Sequence, residues 1–283
     1  MTLDDVYVGM QCMAGVFGAL FGSFLNVCIV RIPEDRSVAW PGSACPHCGN
    51  PVRPYDNVPI FAWFWLRGRC RDCKTPFSGL YPAIEALFCL LTVLLFRRVI
   101  PDIADFDTPH LLAFVWYGWL LFSLVGLTFI DLRHKIIPDG FSIYSVPVGV
   151  AGAALLRHLG FMEAPTWQQS VVGAASGGIG LVGVMALYKL IRKREGMGLG
   201  DAKLLAMLGA YFGAVPALPF IILVSSVVGS VVGVLWMLWK RKGLQLAVPF
   251  GPFLAVGAVV WLFFGESMVF RWTGIATGWA LGS

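Results

Sequence analysis

Two carboxylates draw attention through their neighbours. Asp131 closes an apolar run in Phe129-Ile130-Asp131 and is followed by Pro138-Asp139; Asp201 follows alternating glycines in Gly198-Leu199-Gly200-Asp201. A charge at membrane depth costs about 2–3 kcal/mol or more, which usually marks function. At the membrane–water interface the same residues would be wet and inert, and position alone leaves both readings open. The glycines favour the first. Without side chains, Gly198 and Gly200 let backbone come close, whether from a partner helix or from an extended peptide. Two carboxylates a few ångströms apart do not both ionise easily, so one keeps a proton while the other acts as base. Such a pair can activate water and protonate a leaving amine, which is peptide-bond hydrolysis without a metal or a covalent intermediate.

Four of the seven cysteines form a second constellation, Cys45-Pro-His-Cys48 and Cys70-Arg-Asp-Cys73. Two CxxC pairs at this separation are a zinc-ribbon pattern, in which four thiolates complete a tetrahedral shell around Zn²⁺. A closed shell makes the metal structural, and folding a small loop with little core is a sufficient role. A redox dithiol pair, or His47 in place of one cysteine, are the competing readings. Cys12, Cys28 and Cys89 lie in apolar runs and read as small packing residues.

The elements that must position these groups are membrane helices. Apolar residues make up 58% of the 283, charged residues 13%, and mean hydropathy is +0.76. A soluble domain carries about 25% charge, so a soluble enzyme, a disordered chain and a coiled coil are excluded. A span needs about 20 apolar residues. Candidate runs lie near 8–30, 80–100, 111–131, 141–157, 169–191, 204–216, 220–239 and 250–266, with Pro216 and Pro219 marking the break in the apolar stretch 204–239. The fold expected is an all-α polytopic membrane protein of about eight helices, the sixth short or tilted, with a small zinc-ribbon-like loop domain at 31–79. Asp4 and Asp5 argue against a cleavable signal peptide.

Basic residues orient the chain. Loop 31–79 holds seven, segment 132–140 two, segment 189–203 five, and Lys240, Arg241 and Lys242 three more. The other side has only Arg97, Arg98, Arg157 and Arg271. Lys and Arg gather on the cytoplasmic side, so eight crossings put the cysteine loop and both aspartates there and both termini outside. The net charge of +5 then reflects topology, and no nucleic-acid partner is expected. The reducing cytoplasm also disfavours disulfides in the loop.

Gly178-Ile179-Gly180-Leu181-Val182-Gly183 matches the dinucleotide fingerprint letter for letter, but lies within a span with no preceding strand and is rejected. Helix packing through small residues explains it better, as at Gly18/Gly22, Gly173/Gly177 and Gly229/Gly233. The chain lacks HExxH and Gly-x-Ser-x-Gly, against metalloprotease and serine-hydrolase readings. Two further classes fit the same residues: a transporter using Asp131 and Asp201 as proton or cation ligands, and a non-catalytic membrane assembly factor whose cysteine loop docks a partner.

Several segments, in order, resemble the bacterial type IV prepilin peptidases, the bifunctional leader peptidase/N-methyltransferases. They are Gly22-Ser23-Phe24-Leu25-Asn26-Val27, the paired CxxC loop with Asp56-Asn57-Val58-Pro59 and Leu66-Arg67-Gly68-Arg69-Cys70, Tyr81-Pro82-Ala83-Ile84-Glu85, Asp131 to Pro138-Asp139, and Gly-x-Gly-Asp at 198–201. The resemblance covers about residues 15–210. It implies an inner-membrane aspartic protease of the GxGD type, serving type IV pili or type II secretion, with Asp131 and Asp201 catalytic. Its partners would be prepilins or pseudopilins, cut after a glycine on the cytoplasmic side. It also implies methylation of the new N-terminal amine with S-adenosyl-L-methionine. Residues 1–100, with Cys45, Cys48, Cys70 and Cys73, would belong to that activity and residues 101–283 to the peptidase. No Rossmann-type pattern marks a site for the methyl donor.

Overall fold

The computed structural model describes residues 2–193, 198–240, 249–265 and 267–268. In chain order the helices are α1 (Leu3–Arg31), the short α2 (Phe61–Trp65), α3 (Leu80–Val99), α4 (Thr108–His134), α5 (Ser145–His158), α6 (Trp167–Arg192), α7 (Leu199–Phe212), α8 (Ala217–Lys240) and α9 (Gly251–Val260), which runs on as a π turn at Trp261–Gly265. No β-strand occurs among the described residues. Among the described residues, five helices are long and apolar enough to cross a membrane: Leu3–Glu34, Leu80–Val99, Thr108–His134, Trp167–Arg192 and Ala217–Leu238. The sequence runs at 141–157, 204–216 and 250–266 correspond to α5, α7 and the segment Gly251–Gly265. At 14 residues each, α5 and α7 span only about 21 Å of a hydrocarbon core about 30 Å thick. Of the basic residues used to orient the chain, Arg194, Arg241, Lys242 and Arg271 lie outside the described residues.

Helix ends follow local chemistry that hydropathy does not register. α1 begins at Leu3, before the apolar run at 8, because Thr2 and Asp5 form a reciprocal capping box. Thr166 and Gln169 do the same for α6. The break inside 204–239 falls at Gly213, whose φ of 78° ends α7, with Pro216 just before α8. Pro219 lies in the first turn of α8, where its missing N–H costs nothing.

The chain divides into two compact units, residues 1–126 and 127–283, with the boundary inside α4. In the first, α1 and α3 run antiparallel at very close range. A Cβ on Gly18 would sit 2.7 Å from Thr92 Oγ1, and one on Gly22 would sit 2.8 Å from the Glu85 Cα. Polar contacts finish both ends of the pair: Tyr7 Oη donates to the Ile100 carbonyl (2.6 Å) and Asn26 Nδ2 to the Tyr81 carbonyl (3.1 Å). Phe122 of α4 seals this unit edge-on against Phe21 and Phe88.

In the second unit, α6 and α7 meet backbone to backbone. A Cβ on Gly173 would lie 2.1 Å from the Gly209 carbonyl oxygen, one on Gly209 2.0 Å from the Gly173 oxygen, and one on Gly177 2.3 Å from the Leu205 oxygen. Ser170 Oγ donates to the Ala210 carbonyl across the same contact. Gly180 and Gly183 have open space around them, so within the fingerprint-like run only Gly178, beside Ala206 (3.1 Å), packs tightly. A Cβ on Gly229 would sit 3.2 Å from Phe253 Cδ2, whereas one on Gly233 would meet nothing within 4 Å among the described residues. Lipid supplies no hydrophobic drive for helix pairing, so close backbone packing must. Gly209→Ala is therefore expected to destabilise the protein by about 1–3 kcal/mol or more, whereas Gly180→Ala should stay within about 0.5 kcal/mol of the parent. Thermal unfolding of both variants in detergent checks this, and equal midpoints would contradict the packing.

Candidate active site and cysteine cluster

Asp131 sits one turn from the end of α4 and Asp201 in the first turn of α7; they are 5% and 8% exposed. α7 starts where it does because Gly198 is an extended N-cap (φ −85°, ψ 147°). Asp201 occupies the third helical position and accepts the Gly198 N–H, half of a capping box. The helix N-terminus also favours negative charge there. Asp131 accepts the N–H of Gly251, the first residue of α9. The two carboxylates interact electrostatically.

Ile137, in the turn after α4, packs against the glycines on both sides of the pair. A Cβ on Gly200 would sit 3.1 Å from the Ile137 Cβ, and one on Gly251 would sit 3.2 Å from its Cδ1 and 2.6 Å from Asp131 Oδ2. Asp139 pairs with Lys203 of α7, an exposed ion pair of small energetic weight. Of the residues singled out in the sequence, Asp131 and Asp201 thus come together, Gly198 serves as a cap and Gly200 packs on Ile137. Gly251 was missed. The only local signal was Pro249-Phe250-Gly251-Pro252 at the start of an apolar run.

The cysteine loop is built from two knuckles with the same backbone plan. In the first, the Cys45 N–H bonds to the Asn50 carbonyl, Gly49 N–H to Cys45 and Val52 N–H to Ser43. In the second, Cys70 bonds to Thr75, Lys74 to Cys70 and Phe77 to Gly68. Each hydrogen bond recurs 25 residues later, as do the bridges Ala44–Pro51 and Arg69–Pro76 and the positive φ at Gly49 and Lys74. In residue types the repeat shows only as Cys-x-x-Cys-x-x-Pro at 45–51 and 70–76; the rest of it is backbone geometry. Arg71 grips Asp56 with two hydrogen bonds (2.7 and 2.5 Å) and holds its carboxyl below the usual carboxylate range. Asn50 Nδ2 donates to Asp72 at 3.1 Å, joining the knuckles.

The four sulfurs all lie within 4.8 Å of one another, with Cys45 Sγ 3.8 Å from Cys73 Sγ. A tetrahedral zinc with Zn–S of about 2.3 Å requires sulfurs about 3.8 Å apart, so the cluster is compatible with zinc. His47 is not part of it. Hydrogen bonds with the side chain and backbone of Thr75 draw the Cys73 thiol down to about 6. A backbone hydrogen bond from Asn50 pulls Cys48 down too, but burial and the neighbouring sulfurs push it up to about 12. Four sulfurs this close do not all ionise without a cation.

With this geometry in place, comparison with known proteins is decisive. Residues 16–99 match the bacterial peptidase A24 N-terminal domain, and residues 118–234 match the type IV leader peptidase family. The chain is 35% identical to a prepilin leader peptidase/N-methyltransferase of Aeromonas hydrophila over 91% of both chains. The chain belongs to the type IV leader peptidase family. Proteins of the same name from Xanthomonas campestris pv. campestris (35% identical, 93% of both chains) and Pseudomonas aeruginosa (31%, covering 89% of this chain and 90% of the relative) are similar over the same extent. No solved structure matches the chain.

Within a leader peptidase of this family, the Gly251 contact gives the aspartate site a testable dependence on α9. Gly251→Ala would force its Cβ against Asp131 Oδ2, and the peptidase rate is expected to fall at least tenfold. Steady-state peptide cleavage measures this; a parental rate would mean that α9 does not hold Asp131.

Proposed function

We propose that this protein removes the basic leader from type IV prepilins or pseudopilins, after a glycine, and then methylates the new N-terminal amine with S-adenosyl-L-methionine. The observation that carries the first step is the burial of Asp131 and Asp201 in electrostatic contact, each oriented by a glycine N–H. In this mechanism one aspartate takes a proton from water, the water oxygen attacks the scissile carbonyl, and the other aspartate protonates the departing nitrogen. The charge that develops belongs to the pair, and its titration does too. The N–H donors of Gly251 and Gly198 keep both carboxylates aimed without occupying their remaining lone pairs. The transporter reading has no observation in its favour beyond buried acids, and the relatives' names point elsewhere.

Zinc at Cys45, Cys48, Cys70 and Cys73 is the assignment the sulfur spacing supports best. Its role is to fold the loop that joins α1 to α3. Residues 1–100 then serve methyl transfer, and residues 101–283 serve cleavage. In the bacterial inner membrane the shorter helices α5, α7 and α9 complete eight crossings, leaving the cysteine loop and both aspartates cytoplasmic and the termini outside. A prepilin, with an apolar segment behind a basic head, enters from the bilayer.

Mass spectrometry of a prepilin incubated with the detergent-solubilised enzyme and S-adenosylmethionine tests both steps. The expected products are the mature chain and a methyl increment that depends on the donor. Asp131→Asn and Asp201→Asn should each reduce cleavage by at least 1,000-fold in a folded protein; retention of cleavage by either variant would remove that residue from the mechanism. Cys45→Ser combined with Cys70→Ser should remove zinc, measured by elemental analysis, and impair methylation more than cleavage. Equal loss of both activities would instead make the loop a support for the whole enzyme.

A further inference from the structure

The first unit buries a carboxylate that cleavage does not use. Glu85 of α3 is 8% exposed. Its Oε2 accepts the Ile60 N–H at 2.6 Å, its Oε1 lies 3.5 Å from Asn26 Nδ2, and Ser23 is a further hydrogen-bond partner. All three partners are neutral, and among the described residues no Lys, Arg or His forms an ion pair with Glu85. A group needed only to anchor the Ile60 backbone could be an amide. A buried carboxylate without a counter-ion carries a large desolvation penalty that a cationic ligand relieves.

There is room for one. Glu85 lines a cavity of about 800 Å³, whose wall also includes Ser23, Asn26, Tyr81 and the zinc-site residues Cys45 and Cys70. Arg31, Arg36, Arg53, Arg69 and Arg71 line it too, but Arg36, Arg53 and Arg71 pair with Glu34, Asp72 and Asp56, and Arg31 donates to the Ser37 and Gly42 carbonyls. The Asn26, Asp56–Pro59 and Tyr81–Glu85 segments, far apart in sequence, thus close on one space in which Glu85 has no ion-pair partner among the described residues.

We propose that Glu85 binds the α-ammonium group of the newly cut pilin in this cavity and accepts its proton before methyl transfer. The inference rests on the methylation reading above. An α-amino group has a pKa of about 7.7–8, so at neutral pH most of it is protonated and has no lone pair to react. One proton passes from nitrogen to a Glu85 oxygen. The freed lone pair attacks the methyl carbon of the sulfonium donor, the N–C bond forms as the C–S bond breaks, and the sulfur departs as a neutral thioether holding the bonding electrons. The product is a methylated ammonium, and Glu85 returns its proton to water. The cavity's Ser23 and Asn26 keep the carboxylate oriented.

A cation in this cavity has two sources, the pilin amine and the sulfonium of the donor, and the test separates them. Full-length Glu85→Gln enzyme, purified in detergent, keeps an acceptor for Ile60 but loses the charge. Expected are unchanged leader cleavage, unchanged zinc per chain and unchanged donor affinity by titration calorimetry, with methyl incorporation down at least 100-fold. The parent should bind mature pilin with a free N-terminus at least tenfold tighter than N-acetylated pilin, and the variant should lose that preference. Glu85→Asp should recover part of the rate. Methylation within threefold of the parent overturns the inference. So does loss of donor binding or zinc, which would make Glu85 a donor ligand or a scaffold residue. Failure of the parent itself to methylate would instead overturn the functional reading beneath it.

Discussion

Contact of backbone with backbone at glycine is the constraint on which the rest depends. Inside a bilayer, apolar side chains gain nothing by exchanging lipid for protein, so helices that must stay in register need another source of attraction. Removing side chains at the contact brings two backbones close enough for dense van der Waals packing. Here this occurs at Gly18 and Gly22 of α1 against α3, at Gly173, Gly177 and Gly209 between α6 and α7, and at Gly257 of α9 against the Ile221 carbonyl of α8. The first two pairs each carry a buried acid, Glu85 on α3 and Asp201 on α7.

The buried acids are then aimed by amide hydrogens rather than by cations. Gly251 serves Asp131, Gly198 serves Asp201 and Ile60 serves Glu85. A lysine or arginine partner would neutralise a carboxylate and occupy it. Neutral donors fix orientation while supplying no full counter-charge, which is what a base or a cation-binding group requires.

Much of this was legible in the residues. Asp131, Asp201 and the paired CxxC segments declare themselves because few polar groups interrupt so apolar a chain. The small-residue faces at Gly18/Gly22 and Gly173/Gly177 were readable from spacing. What hydropathy could not deliver was the length of the shorter helices, because caps at Gly198 and Gly213 are set by backbone conformation. Gly251, and the contact made by Glu85 at the end of the Tyr81–Glu85 segment, escaped for a different reason. Their importance lies in contacts over 120 and 25 residues, to Asp131 and Ile60, and no local pattern encodes the partner. Of the repeated knuckle geometry, the residues show only Cys-x-x-Cys-x-x-Pro in each copy, because backbone hydrogen bonds tolerate Asn50 in one and Thr75 in the other.

That repetition has a mechanical consequence. Each knuckle offers two sulfurs, so an ion held by all four turns residues 49–69 into a closed ring with its ends clasped. Ile60 lies near the middle of that ring. Closing a ring of this size removes several kilocalories of chain entropy from the unclasped state, and the saving is passed to whatever the ring touches, here the amide that meets Glu85. An ion there would couple the clasp to the carboxylate: filling the sulfur site would make the Ile60 hydrogen bond easier to form, and forming that bond would tighten the grip on the ion by the same factor.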